Sequence, residues 1–135
     1  MCDLGINKID EKHLMELARK SRENSYSPYS NFSVGAAILT DDGKVYTGAN
    51  IENASYGASV CAERVAIYKA VSSGSKRISA IAISAERGEA YPCGICRQVM
   101  SEFTGGEDID VFVDKGDGEI SKFKLSKLLP NAFKL

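Results

Sequence analysis

Three thiols and one carboxylate fall on two short stretches of this chain, Ser59-Val60-Cys61-Ala62-Glu63-Arg64 and Pro92-Cys93-Gly94-Ile95-Cys96-Arg97-Gln98. Thiolates are zinc ligands, and three protein donors leave the fourth tetrahedral position for water, as in a catalytic rather than a structural site. Only His13 and Cys2 could complete a closed site, and neither has a convincing spacing. Zinc lowers the pKa of bound water from 15.7 to about 7. Glu63, beside the donors but not among them, can then move protons. Three thiolates leave a formal charge of −1 on the centre, so Arg64 and Arg97 are expected to hydrogen-bond to the sulfurs, with Gln98 following beside them. A thioredoxin-like redox pair is the rival for Cys93 and Cys96, but it leaves Cys61 and Glu63 unexplained. Each feature also has an ordinary alternative: an outward-facing arginine, or a glutamate that merely suits a helical first turn.

Both stretches read as helix starts, where free N–H groups and the positive end of the dipole stabilise thiolates. The elements that must position them are legible by period. Ile9 to Asn24 predicts a helix with Asp10 as N-cap and Ile9, Leu14, Leu17 and Ala18 on one face. Ser33–Thr40 and Lys44–Ile51 predict strands joined by a turn at Asp41-Asp42-Gly43. The small residues Gly35, Ala36 and Ala37 invite a helix to press closely. Cys61–Val71 predicts a second helix with Ser59 as N-cap, and Ile78–Ser84 a strand covered on both faces. Cys93–Phe103 predicts a third helix, Ile109–Asp114 and Glu119–Leu125 two more strands, and Ser126–Leu129 a helical turn before Pro130. The order α-β-β-α-β-α-β-β fits a mixed sheet with helices on both faces. The loop Tyr26–Phe32 could pack a sheet edge or line a pocket. Asn50 and Glu52, alternate residues of a strand, would project together; on residue type alone a solvated strand end is slightly preferred to a sugar contact.

The 135 residues suffice for one domain with a sizeable core, and residues 1–135 carry no linker, repeat or low-complexity tract. A formal net charge of −1 with no basic stripe argues against nucleic acid, and no apolar run is long enough for a membrane span. Met1–Gly5 shows neither a basic n-region nor an apolar h-region, so a cytoplasmic location is expected. There, a C-x-x-C pair points to metal or redox chemistry rather than a disulfide framework. Cys2 is read as a free thiol and His13 as a solvated helix residue.

Cys-Ala-Glu-Arg followed by Pro-Cys-Gly-x-Cys-Arg-Gln resembles the small cytidine deaminases of pyrimidine nucleoside salvage. Tyr26–Phe32, Val34–Ala37, Asn50–Gly57 and Leu128–Phe133 extend the resemblance over almost the full length. It implies a three-layer α/β/α fold with a mixed five-stranded sheet, one zinc per chain and a homotetramer. It implies hydrolysis of cytidine and deoxycytidine to uridine and deoxyuridine with release of ammonia, by zinc-bound hydroxide attacking C4. By the same resemblance Cys61, Cys93 and Cys96 bind zinc, Glu63 shuttles protons, and Asn50 and Glu52 take the ribose 3′-hydroxyl. Phe32 packs on the base, the Ala62 N–H meets the base carbonyl, the Tyr91 carbonyl accepts from the amine, and Phe133 reaches a neighbouring subunit's pocket. Two departures stand out. Position 91 is tyrosine where the family usually carries a small residue, and the tail ends at Leu135 without a longer lid. The alternatives are deamination of a cytosine-containing antibiotic such as blasticidin S, nucleic-acid editing, and a non-catalytic zinc-stabilised module; Asn50-x-Glu52 favours a plain ribose.

Overall fold

The computed structural model describes residues 10–135; the expectations for Cys2 and Ile9 lie outside them. Helix α1 (Glu11–Ser21) opens on Asp10, whose carboxylate accepts the His13 N–H at 2.8 Å, and passes into a 3-10 turn over Arg22–Asn24. Strands β1 (Val34–Thr40) and β2 (Val45–Ala49) form the expected hairpin, with Gly43 at φ 83° in its turn. Then follow α2 (Ala62–Ser72), β3 (Ile78–Ala85), α3 (Gly94–Glu102), β4 (Asp110–Asp114), β5 (Ile120–Lys124) and the single-turn α4 (Leu125–Leu128).

The sheet runs β2-β1-β3-β4-β5, with β3 and β4 parallel and the other neighbours antiparallel. The parallel pair β3–β4 needs a crossover connection, which α3 supplies. Alternation across the pleat divides the core. Ala37, Ala82 and Phe112 face Leu14, Met15 and Ala18 of α1. Ala36, Ile38, Ile81, Ile83, Val111 and Val113 face the other way, onto Ala66, Ile67 and Ala70 of α2 and Met100 of α3. Three layers result, as expected, and β3 is covered on both faces.

Two glycines set how closely the helices approach. A Cβ at Gly35 would lie 2.1 Å from the Ala18 carbonyl oxygen of α1, and one at Gly48 would lie 2.6 Å from the Ala66 nitrogen and 2.7 Å from the Ala62 oxygen of α2. The small-residue stretch of β1 therefore meets a helix as expected, while the matching role of Gly48 in β2 has no such run to announce it. The expected strand end shifts: β2 stops at Ala49, and Ile51 makes isolated bridges to Tyr26 and Val60.

Candidate metal centre and active site

Helices α2 and α3 bring their first turns together. Cys61, not Ser59, caps α2: Ser59 accepts the Asn53 N–H at 3.0 Å and Val60 bridges Ile51, so the chain stays extended up to Cys61. Cys93 caps α3, its sulfur accepting from the Cys96 N–H at 3.5 Å. The Sγ atoms of Cys61 and Cys93 are 3.8 Å apart, those of Cys93 and Cys96 3.5 Å, and all three lie within 4.8 Å of one another. Tetrahedral zinc with sulfurs at about 2.3 Å requires S···S separations of about 3.8 Å, so the donor set fits that ion. Cys96 is buried, Cys61 half-buried and Cys93 exposed, which opens the cluster to solvent on one side.

Charge is already managed at the cluster. The Cys61 thiol is brought down to about 5, first by the Cys96 thiol hydrogen-bonded to it and then by Arg64 and Cys93. Cys96 is pushed the other way by that same bond, by burial and by Glu63. Arg64 donates to the Cys61 sulfur at 3.4 Å, as expected, and its buried Nε has no hydrogen-bond partner among the described residues. Arg97 corrects the expectation. It donates to the carbonyls of Pro92 at 2.7 Å and Leu128 at 2.8 Å rather than to sulfur. One residue beyond Cys96, it points about 100° further round α3, where it meets the free carbonyl at the end of α4. Gln98 donates to the Phe133 carbonyl at 3.0 Å and lays the tail along α3, leaving the Phe133 ring exposed.

Glu63 is only 4% exposed. Burial pushes its carboxyl up to about 7, the Cys61 thiolate adding to the rise while its own backbone N–H, Arg64 and the Cys96 thiol oppose it. A carboxyl that is half-protonated near neutrality both takes and returns a proton. The ordinary exposed glutamate is thereby set aside. Ala62 is fully buried at the first helical position, where its N–H has no intrahelical acceptor.

Asn50 and Glu52 lie past β2, yet both turn to the same loop. Asn50 Oδ1 accepts from Ser25 Oγ at 2.5 Å and the Val34 N–H at 3.0 Å, and its Nδ2 donates to the Phe32 carbonyl at 2.8 Å. Glu52 Oε1 accepts from the N–H groups of Tyr29 and Ser30, and Oε2 from Ser30 Oγ at 2.5 Å. One amide hydrogen of Asn50 and further acceptor capacity on Glu52 Oε2 are left over from these bonds. Glu52 also lines a depression of about 290 Å³ with Tyr29, Ser30, Tyr56 and Ser59. Neither it nor a larger one, about 560 Å³ beside Asp108, Leu125 and Pro130, contains any of the thiols; donor chemistry, not cavity size, marks the site. The Tyr91 ring is held edge-on to Phe123 at 5.6 Å, and its hydroxyl donates to Glu89 at 2.6 Å.

Residues 8–110 match the family model for the cytidine and deoxycytidylate deaminase zinc-binding region. The chain belongs to the cytidine deaminase family. It is 45% identical to the cytidine deaminase of Sporosarcina psychrophila, over 93% of this chain and 92% of that one. With the cytidine deaminase of Halalkalibacterium halodurans the identity is 48%, over 93% and 95%. The crystal structure of cytidine deaminase from Burkholderia pseudomallei superposes with a TM-score of 0.86 at 44% identity, covering 93% of this chain and 100% of that one. The fold is thus the family's mixed α/β fold, and the expected architecture holds. Zinc is the family's metal, and the three-thiol cluster is where this fold gathers donors for it. Sequence reasoning does not find the charged pair Glu86 and Arg87, which packs against Phe32 from the loop after β3; its contacts cross more than fifty residues.

Proposed function

We propose that this chain is a zinc-dependent cytidine deaminase that converts cytidine and deoxycytidine, with one water, to uridine and deoxyuridine and ammonia. The observation that carries the reading is a buried carboxyl, Glu63, poised near 7 beside three converging thiols. Cys61, Cys93 and Cys96 would hold the metal. Zinc bound there would supply a Lewis acid and an activated water. The Glu63 carboxyl, able to take up and return a proton, would hand one to the ring nitrogen and then to the departing amine. Arg64 offsets the charge of the thiolates. The Ala62 N–H and the Tyr91 carbonyl orient the base, Phe32 packs on it, and Asn50 and Glu52 take the 3′-hydroxyl with the donor and acceptor they have left. The Tyr91 side chain, tied to Phe123 and Glu89, leaves its carbonyl to act.

The further reading is of a single-domain cytoplasmic enzyme of pyrimidine salvage, a homotetramer in which the exposed Phe133 ring enters a neighbour's pocket. No helix among the described residues is long and apolar enough to cross a membrane. Ultraviolet absorbance of the protein with cytidine, deoxycytidine and blasticidin S, alongside zinc analysis, tests the proposal. Loss of the cytidine band with about one zinc per chain is expected. Zinc with turnover of blasticidin S alone would move the substrate to the antibiotic, and zinc with no turnover of any of the three would favour the non-catalytic module.

A further inference from the structure

The loop between β3 and Cys93 does more than present a thiol. Its first residue, Glu86, pairs with Ser33 in both directions: the Glu86 N–H donates to the Ser33 carbonyl at 2.9 Å, and Glu86 Oε1 accepts the Ser33 N–H at 2.5 Å. Arg87 comes next. Its guanidinium carbon stands 5.0 Å over the centre of the Phe32 ring, inside the range of a cation–π contact. Arg87 is itself steadied by the Glu86 carboxylate at 3.4 Å and by a long bond to the Asn31 carbonyl, also 3.4 Å. Asn31 has φ 55°, so the chain turns sharply just before Phe32.

The Phe32 backbone is already fixed. Its N–H donates to Ser30 Oγ at 3.1 Å and its carbonyl accepts from Asn50. What remains free is rotation of the side chain, and Arg87 lies over that.

We propose that Arg87, braced by Glu86, is a positioning residue that occupies one face of Phe32 and leaves the other face and the edge to a pyrimidine base. The assignment rests on Phe32 packing against the base. Because residues 86–92 lead directly into Cys93, one loop then fixes the ring relative to the reacting centre.

The test is a double-mutant cycle on cytidine turnover with Arg87→Ala, Phe32→Ala and the pair, with Arg87→Lys as the conservative variant. Arg87→Ala is expected to raise KM about two- to fivefold, the size of a cation–π contact at an exposed site, with kcat within about twofold. In the Phe32→Ala background it should add nothing, and lysine should restore part of the loss. An unchanged KM, or the same rise in both backgrounds, would overturn the proposal. A second readout needs no turnover: in protein carrying ¹³C-labelled phenylalanine, Arg87→Ala should shift the Phe32 ring signals. Unmoved signals would also overturn it. Wild-type protein inert toward cytidine would instead defeat the substrate reading, with the ring signals still deciding whether Arg87 holds Phe32.

Discussion

Replacing Glu63 by Gln keeps the size of the side chain and removes the carboxyl that the proposed mechanism uses to carry protons. Turnover should fall about 10²–10⁴-fold while zinc content stays at one per chain, checked by absorbance and metal analysis. Full activity in that variant would return the glutamate to an ordinary helical role. Arg64→Ala removes the cation at 3.4 Å from the Cys61 sulfur, and zinc affinity should fall about 10–100-fold in a chelator competition. The thiols and Glu63 are legible in the sequence because three thiols at that spacing, with a carboxylate two residues from one of them, suit an open metal site and little else. Arg97 is misread there because sequence shows that an arginine is near but not which way it points, and two carbonyls claim it. Glu86 and Arg87 are silent because nothing local marks a contact with Phe32 made across the sheet end.

Elements are easier to read than their ends. The helices and strands that position the site follow from hydrophobic period together with start, stop and turn residues, but β2 ends two residues early and Cys61 displaces Ser59 as cap because residues 51 and 60 pair instead. Gly48 is hidden because one glycine in a strand does not say which backbone approaches it. The contact is nonetheless consequential, since the Ala62 oxygen it meets belongs to the turn carrying Cys61 and Glu63. Gly48→Ala should cost roughly 1–3 kcal/mol by overpacking, seen as a lower urea midpoint. It should also weaken zinc retention, whereas Gly57→Ala, where an added Cβ meets nothing within 4 Å, should do neither.

For the whole molecule, acid sensitivity follows from one ion pair joining α1 to the sheet. Asp114 is buried at the end of β4, accepting from Arg19 at 2.8 and 3.1 Å and from Ser84 Oγ at 2.7 Å. Burial works to raise its pKa, yet the bonds from Arg19, Ser84 and the Gly116 N–H bring it down to about 2. A depressed carboxylate stabilises the fold above its unfolded pKa, near 4, and that contribution is lost as pH falls from about 4 to 2. Asp114→Asn should therefore cost about 1–2 kcal/mol at neutral pH and flatten the unfolding curve across that acid window, measured by denaturant titration at several pH values.

The split origin of the donors has a mechanical meaning. Cys61 belongs to α2 and Cys93 to α3, 32 positions further along the chain. An ion gripping both is a cross-link that closes a loop, and in chain-entropy terms a tie of that span is worth on the order of 4 kcal/mol. The metal is then a clasp as well as a reagent. Adding a strong chelator should lower the thermal midpoint even where no substrate is present, and Cys61→Ala, which cuts the clasp on the α2 side alone, should make the midpoint insensitive to chelator.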